Sequence, residues 1–144
     1  MNSDYTFSAD KEKLDIKIIH GYLSRSYWSE NIPVEIVKRS IENSLCFGVY
    51  HLDKQIGFAR VISDFATFGY LADVFILEEH RGKGLSKKLM KYIMSHAQLQ
   101  GLRRFCLATR DAHKLYEQFG FKALANPDRL MEIVHANIYT AKNN

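Results

Sequence analysis

His80-Arg81-Gly82-Lys83-Gly84-Leu85-Ser86-Lys87-Lys88 is the stretch on which the reading of this chain turns. An apolar run, Tyr70 to Leu77, precedes it, and Leu85, Leu89, Ile93 and Ala97 follow at helical spacing. Strand, basic glycine-bearing turn and amphipathic helix therefore succeed one another directly. Gly82 and Gly84 let the backbone gather several N–H groups into one concavity. The new helix adds its unpaired amides and the positive end of its dipole at the same place. Arg81 and Lys83 supply countercharge, so the turn suits a pyrophosphate.

Outward from that turn, helices alternate with strands. Tyr5 to Ser8 reads as an edge strand. Leu14, Ile18 and Tyr22, with Ile19 and Leu23, form a helical stripe, and Pro33 opens a second helix carrying Val37 and Ile41. Leu45 to Tyr50 and Gln55 to Ile62 read as strands joined at Asp53-Lys54, and Phe68 to Leu77 as the strand entering the glycine turn. Helix Leu85 to Gln100 stops at Gly101. Strand Arg104 to Ala108, helix Asp111 to Phe119 and a closing pair, Phe121 to Leu124 and Leu130 to Ile138, complete the chain. The class is α/β (α+β), a mixed, mostly antiparallel sheet flanked by helices, in a single domain over residues 1–144.

Composition narrows the classes without choosing a function. With 144 residues, 47% of them hydrophobic, the chain can bury a sizeable core. No run approaches the roughly 18 apolar residues of a membrane span. Asp4, Asp10 and Glu12 make the N-terminus too polar for a secretory signal, and the cytoplasm is the expected location. Cys46 and Cys106 read as free thiols, and the six histidines show no metal-ligand spacing, so no metal is expected. The net charge of +4 collects largely at Arg81, Lys83, Lys87, Lys88 and Lys91, with more at Arg103 and Arg104. A ligand rich in phosphate accounts for the first group, and no nucleic-acid module or basic tail is present.

Neither Gly-x-x-x-x-Gly-Lys-Ser/Thr nor Gly-x-Gly-x-x-Gly occurs. The order Val74-Phe75-Ile76-Leu77-Glu78-Glu79-His80-Arg81-Gly82-Lys83-Gly84-Leu85 instead resembles the acetyl-CoA-binding segment of the GNAT superfamily of N-acyltransferases. Arg81 and Gly84 match its Arg/Gln-x-x-Gly-x-Gly/Ala signature, and Ser86 stands at the last position. A second block, Ala112-His113-Lys114-Leu115-Tyr116-Glu117-Gln118-Phe119-Gly120-Phe121, resembles the superfamily's Ala-x-x-x-Tyr-x-x-x-Gly-Phe. Thr109 stands where many relatives carry an asparagine that bonds the pantetheine arm.

The resemblance implies a V-shaped splay between strands, into which acetyl-CoA enters like a substitute strand. Its arm would pair with the main chain of Phe75 and Ile76, helped by a strand irregularity near Val74. Its pyrophosphate would lie on Arg81, Gly82, Lys83, Gly84, Leu85 and Ser86. The implied reaction moves an acetyl group to a primary amine, that of a small molecule, by direct attack in a ternary complex. An amine of pKa about 10.4 must shed a proton first, and a thiolate of pKa about 8.5 must regain one. Tyr116 is the candidate acid, since Leu115 and Phe119 already form the core-facing pair of its helix.

Asp73, ionisable within an apolar strand, is the candidate base, and it could equally orient a water, hold an ammonium or make a structural bond. Asp64 is a second acidic candidate and Glu30 a third. Tyr27 and Trp28, with Tyr22 and Glu30 nearby, would enclose a cationic acceptor, and Arg60 would select one that also bears a carboxylate. A protein or peptide acetyltransferase, a CoA-binding sensor without chemistry and a basic nucleic-acid binder stay open as alternatives. A homodimer is a further expectation, with Met131 to Ile138 as a possible contributor.

Overall fold

The computed structural model describes residues 4–140. Nine elements follow in the order β1 (Tyr5–Ser8), α1 (Ile16–Leu23), α2 (Val34–Glu42), β2 (Leu45–His51), β3 (Lys54–Ser63), β4 (Phe68–Ile76), α3 (Leu85–Met94), β5 (Arg104–Leu107) and α4 (His113–Glu117). The strands lie in sequence order in one open sheet. All pairings are antiparallel except β4 with β5, which is parallel.

Strand alternation divides the core between the two faces of this sheet. Cys46, Phe58 and Phe75 point to one face and meet Ile19 and Leu23 of α1 and Val37 of α2. Phe47, Val49, Ala59 and Val61 point to the other and meet Leu85, Leu89, Met90 and Ile93 of α3. Both faces are covered, so β2 and β3 read as nearly continuous apolar runs. Gly57 permits close approach of β3 to β4: a Cβ there would stand 2.7 Å from Ile76 Cδ1 and 3.0 Å from the Phe75 carbonyl oxygen.

Several boundaries differ from the sequence reading. Helix α1 begins at Ile16 rather than Leu14, because the Asp15 carboxylate accepts from the Lys17 N–H and caps it. Pro33 is the N-cap of α2, just outside the helix. Helix α3 ends at Met94, and a short 3-10 turn at Ala97–Leu99, capped by the His96 ring, leads to Gly101 at φ +78°. In α4 the Thr109 hydroxyl accepts from the Ala112 N–H at 3.0 Å, which delays the helix until His113.

The largest correction concerns the closing pair of strands, which does not form. Phe121 packs on Phe105 and Tyr116, with ring centroids 5.4 and 6.1 Å away. Residues 122–138 then run exposed, with one 3-10 turn at Pro127–Arg129. Their apolar, β-branched pattern is real, but among the described residues no strand pairs with them to complete a ladder.

Candidate active site

The site begins where β4 and β5 part. Their last paired residues are Leu71 and Leu107, while β4 continues through Ala72 to Ile76 against β3 alone. That leaves a one-sided gap along β4. Pairing with β3 also slips here: Phe58 faces Phe75 and Arg60 faces Ala72, so Asp73 and Val74 together oppose Ala59. Asp73 takes φ +57° at this bulge, a conformation that aspartate tolerates better than most residues.

The bulge decides which main-chain groups enter the gap. The Leu77 N–H donates to Ile56 on the β3 side. Main-chain groups alternate edges along a strand, so Phe75 also faces β3, and Ile76 and Val74 face the gap. The Ile76 carbonyl accepts from Arg81 Nε at 2.9 Å on that side. Of the expected pair Phe75 and Ile76, Ile76 thus turns its main chain to the gap while Phe75 turns its own to β3, and Val74 faces the gap as well. Phe75 serves through its ring, stacked on Tyr22 with centroids 4.1 Å apart.

Residues 78–84 are braced from two directions. Arg25 forms a bidentate pair with Glu78 at 2.8 and 3.0 Å, which lowers the Glu78 pKa to about 2. Arg81 Nη2 donates to the Tyr22 hydroxyl at 2.8 Å. From β1, Tyr5 shares a 2.7 Å hydrogen bond with His80 Nδ1, whose pKa is lowered by burial and by neighbouring His51. Gly82 and Gly84 take φ +78° and +75°, and a Cβ on either would meet nothing within 4 Å. Gly84 caps α3 without a side chain, so the first-turn amides of α3 remain available to an anion.

Three cavities line up along the gap. One of about 250 Å³ is bounded by His80, Arg81, Gly82, Gly84, Leu85 and Ser86. The next, about 540 Å³, runs past Phe75, Ile76, Arg81 and Ser86 to Tyr116. The third, about 680 Å³, lies between Tyr116, Asp73, Arg60, Tyr70 and Thr109. Tyr27, Trp28, Val74, Arg110, Asp111, Ala112 and Tyr116 border both larger cavities and mark their junction. Lys83 is exposed and lines none of the three.

Asp73 and Arg60 meet in the third cavity in a largely buried pair, with side chains 8% and 17% exposed. Arg60 Nε donates to Asp73 Oδ2 at 2.7 Å, and Trp28 Nε1 donates to Asp73 Oδ1 at 2.8 Å. Arg60 Nη1 reaches the Ser44 hydroxyl at 3.0 Å. Both Asp73 oxygens are therefore engaged. Tyr116 is the buried residue of α4, whereas Leu115 and Phe119 are half-buried, which reverses the expected stripe. Burial, with smaller contributions from Tyr27 and Asp111, pushes its phenol up to about 12. Among the described residues nothing bonds its hydroxyl.

Two other candidates lie elsewhere. Asp64 is at the β3–β4 turn, where it accepts from the N–H groups of Ala66, Thr67 and Phe68 and from the Thr67 hydroxyl. Those bonds hold its pKa well below the usual carboxylate range, and it borders none of the cavities. Glu30 is exposed and does not line them either. Sequence reasoning missed Arg110 and Asp111. Arg110 stacks over Tyr27, 3.8 Å from the ring centroid, and lies 3.8 Å from Asp111. Their only signal was position, immediately after β5 and before the tyrosine-bearing helix.

Among the described residues, no group of three or more His, Cys, Asp or Glu side chains gathers as a metal site, and no helix is long and apolar enough to cross a membrane. A model of the acetyltransferase (GNAT) family matches residues 16–121. A Gibberella zeae protein described as a candidate acetyltransferase is 33% identical, the match spanning 78% of this chain and 76% of that one. A crystal structure from Xanthomonas campestris pv. campestris, described as a candidate GNAT acetyltransferase, is 51% identical; the match covers 95% of this chain and 97% of that one, with a TM-score of 0.93. Glucosamine-6-phosphate N-acetyltransferase from Arabidopsis thaliana shares the fold at 17% identity and a TM-score of 0.64, over 92% of this chain and 98% of that one. The open five-stranded sheet, the glycine turn ahead of α3 and the family match agree: this chain belongs to the GNAT acetyltransferase family.

Proposed function

We propose that residues 1–144 act as one cytoplasmic domain that transfers an acetyl group from acetyl-CoA to a primary amine of a small molecule, both substrates being bound together. The observation that carries this reading is the junction at Tyr116, where a groove leading from the glycine turn opens into a separate cavity. A volume of about 680 Å³ lies within the range of small-molecule sites.

The residues present suit the donor. Gly82 and Gly84 leave space in front of the turn, and the amides of Leu85, Ser86 and Lys87 lack a side-chain cap. They would receive the diphosphate. Val74 and Ile76 would offer the free edge of β4 to the pantetheine arm. Bound acetyl-CoA supplies the thioester. An N–H from Val74 at the bulge would then stabilise negative charge on the carbonyl oxygen.

On the acceptor side, Asp73 is committed to Arg60 and Trp28, so its part is to position them and to hold the bulge. Asp111, exposed and only loosely paired, would attract the incoming ammonium, with water carrying away the proton. Tyr116 would donate a hydrogen bond to the departing sulfur. Because its phenol stays neutral to about pH 12, full transfer to a thiolate is uphill on its own, and the proton released by the attacking nitrogen completes the balance.

The test pairs calorimetry and thermal shift on CoA with thiol release from acetyl-CoA over polyamines, amino acids, aminoglycosides and peptides. The reading expects stabilisation by CoA and turnover on a small amine. Turnover on peptides alone would overturn the acceptor class. Tight CoA binding with no transfer to any amine would leave a sensor, and no heat or stabilisation would remove the donor.

A further inference from the structure

The largest cavity is lined by two cations, Arg60 and Arg110, and two anions, Asp73 and Asp111. One of the two pairs is satisfied within itself. Arg60 gives Nε to Asp73 and Nη1 to Ser44, and Asp73 accepts from Trp28 as well. The other pair is not. Arg110 Nη2 and Asp111 Oδ2 stand 3.8 Å apart, beyond hydrogen-bond reach. Among the described residues neither side chain makes a hydrogen bond, and both are mostly exposed.

Arg110 is held instead by the Tyr27 ring, with Cζ 3.8 Å from the ring centroid. A guanidinium resting on a ring keeps its N–H fork for a planar anion such as a carboxylate. Beside it, Asp111 can accept from an ammonium. Two opposite charges set side by side are complementary to a ligand carrying the same two charges in reverse order. An α-amino acid is such a ligand, because a single carbon separates its ammonium from its carboxylate. We propose that the acceptor is a free α-amino acid with an apolar or aromatic side chain, its carboxylate on Arg110 and its ammonium on Asp111.

Three observations favour this class over other amines. Polyamines and aminoglycosides carry several cations, whereas the formal charges lining the cavity cancel and its one uncommitted acid sits beside a free arginine. Trp28, Tyr70 and Leu107 give the wall an apolar, largely aromatic surface for a side chain. Asp111 also lies near the reacting end: behind burial and Tyr27, its charge helps push the Tyr116 phenol up to about 12, and Arg110 and Asp111 border the donor groove as well. The inference rests on the acetyltransferase reading and names its substrate. The amine nitrogen bonds to the thioester carbon as the C–S bond breaks. The ammonium keeps one proton in the amide, passes one to the sulfur and releases one to water, leaving an N-acetylated amino acid and the CoA thiol.

Thiol release from acetyl-CoA tests it with phenylalanine, leucine, phenylalanine amide, phenethylamine and spermidine as acceptors. The amide lacks the carboxylate's charge and phenethylamine lacks the carboxylate, while both keep the amine. The native protein should turn over the two amino acids faster than spermidine or phenethylamine. The ratio of kcat/KM for phenylalanine to that for its amide should fall about fivefold in Arg110→Ala and further in Arg110→Glu. Comparing this ratio between variants cancels the amines' own pKa difference and any general loss of activity. A ratio unchanged in both variants, or a native preference for spermidine or phenethylamine, would overturn this inference and leave the acetyltransferase reading standing. No thiol release with any acceptor would overturn both.

Discussion

The two halves of the cleft are built in opposite ways. The half at the glycine turn comes chiefly from one continuous stretch, residues 76–87, and presents mainly backbone groups. The half beyond Tyr116 is assembled from separate segments, with Tyr27 and Trp28 before α2, Arg60 on β3, Tyr70 and Asp73 on β4, and Thr109 to Ala112 after β5. A contiguous site depends on local conformation, so glycines and spacing are enough to specify it. A dispersed one depends on tertiary packing, and side chains there acquire partners that no spacing reveals.

Substitutions should separate these halves, with the largest effect at their junction. Tyr116→Phe keeps the buried ring and deletes only the hydroxyl. It should lower kcat by about 100-fold, with little change in KM for acetyl-CoA; steady-state kinetics with either substrate varied would show it, and unchanged kcat would dismiss the hydroxyl. Next comes Asp73→Ala. It strands Arg60 in a largely buried place and removes a residue suited to positive φ, so chemical denaturation should show a loss on the order of 3 kcal/mol. Asp73→Asn, which still accepts from Trp28 and tolerates the bulge, should recover part of that loss.

Two milder changes probe one half each. Gly84→Val forces a branched residue to φ +75°, a strain of about 1–2 kcal/mol. KM for acetyl-CoA should rise about tenfold while that for the amine stays put. Arg110→Ala removes a cation stacked on Tyr27 at an exposed site, worth about 0.5–1 kcal/mol. It should raise the amine's KM a few-fold and spare acetyl-CoA.

The smallest effect concerns pH. The Glu78 pKa falls from 4.5 to about 2, chiefly through its hydrogen bond from Arg25. A carboxylate lowered in the folded state stabilises it above the unfolded value, and that advantage fades as pH drops from about 4.5 toward 2. The Tm gap between the native protein and Glu78→Gln should therefore narrow over that window and hold steady above it. Both side chains are half exposed, so added salt should shrink the gap as well.

The same contrast accounts for what the sequence disclosed. Strand alternation and the glycine turn placed β2, β3 and β4 within a residue or two and fixed the start of α3 at Leu85, because period and turn chemistry are local, while the end of α3 fell six residues short of Gln100. An irregularity near Val74 was also legible. Its consequence for Phe75 was not, since only the register against β3 decides which amides face the gap. Asp73 stood out as an ionisable residue in an apolar strand, but its ties to Trp28 and Arg60 span long stretches of chain. Asp64 looked equivalent in sequence, and its turn consumed it. The closing strands failed for another reason: residues 122–138 have a strand-like apolar pattern, but a pattern forms a strand only where a neighbouring strand pairs with it, and among the described residues none does.

Trp28 is the chain's single tryptophan. Its indole nitrogen is tied to Asp73, and its ring borders both halves of the cleft. The protein therefore carries an intrinsic fluorophore at the junction of the two larger cavities, where the proposed donor and acceptor would meet. Its emission can follow each ligand's arrival and their order without any label, in an otherwise native molecule.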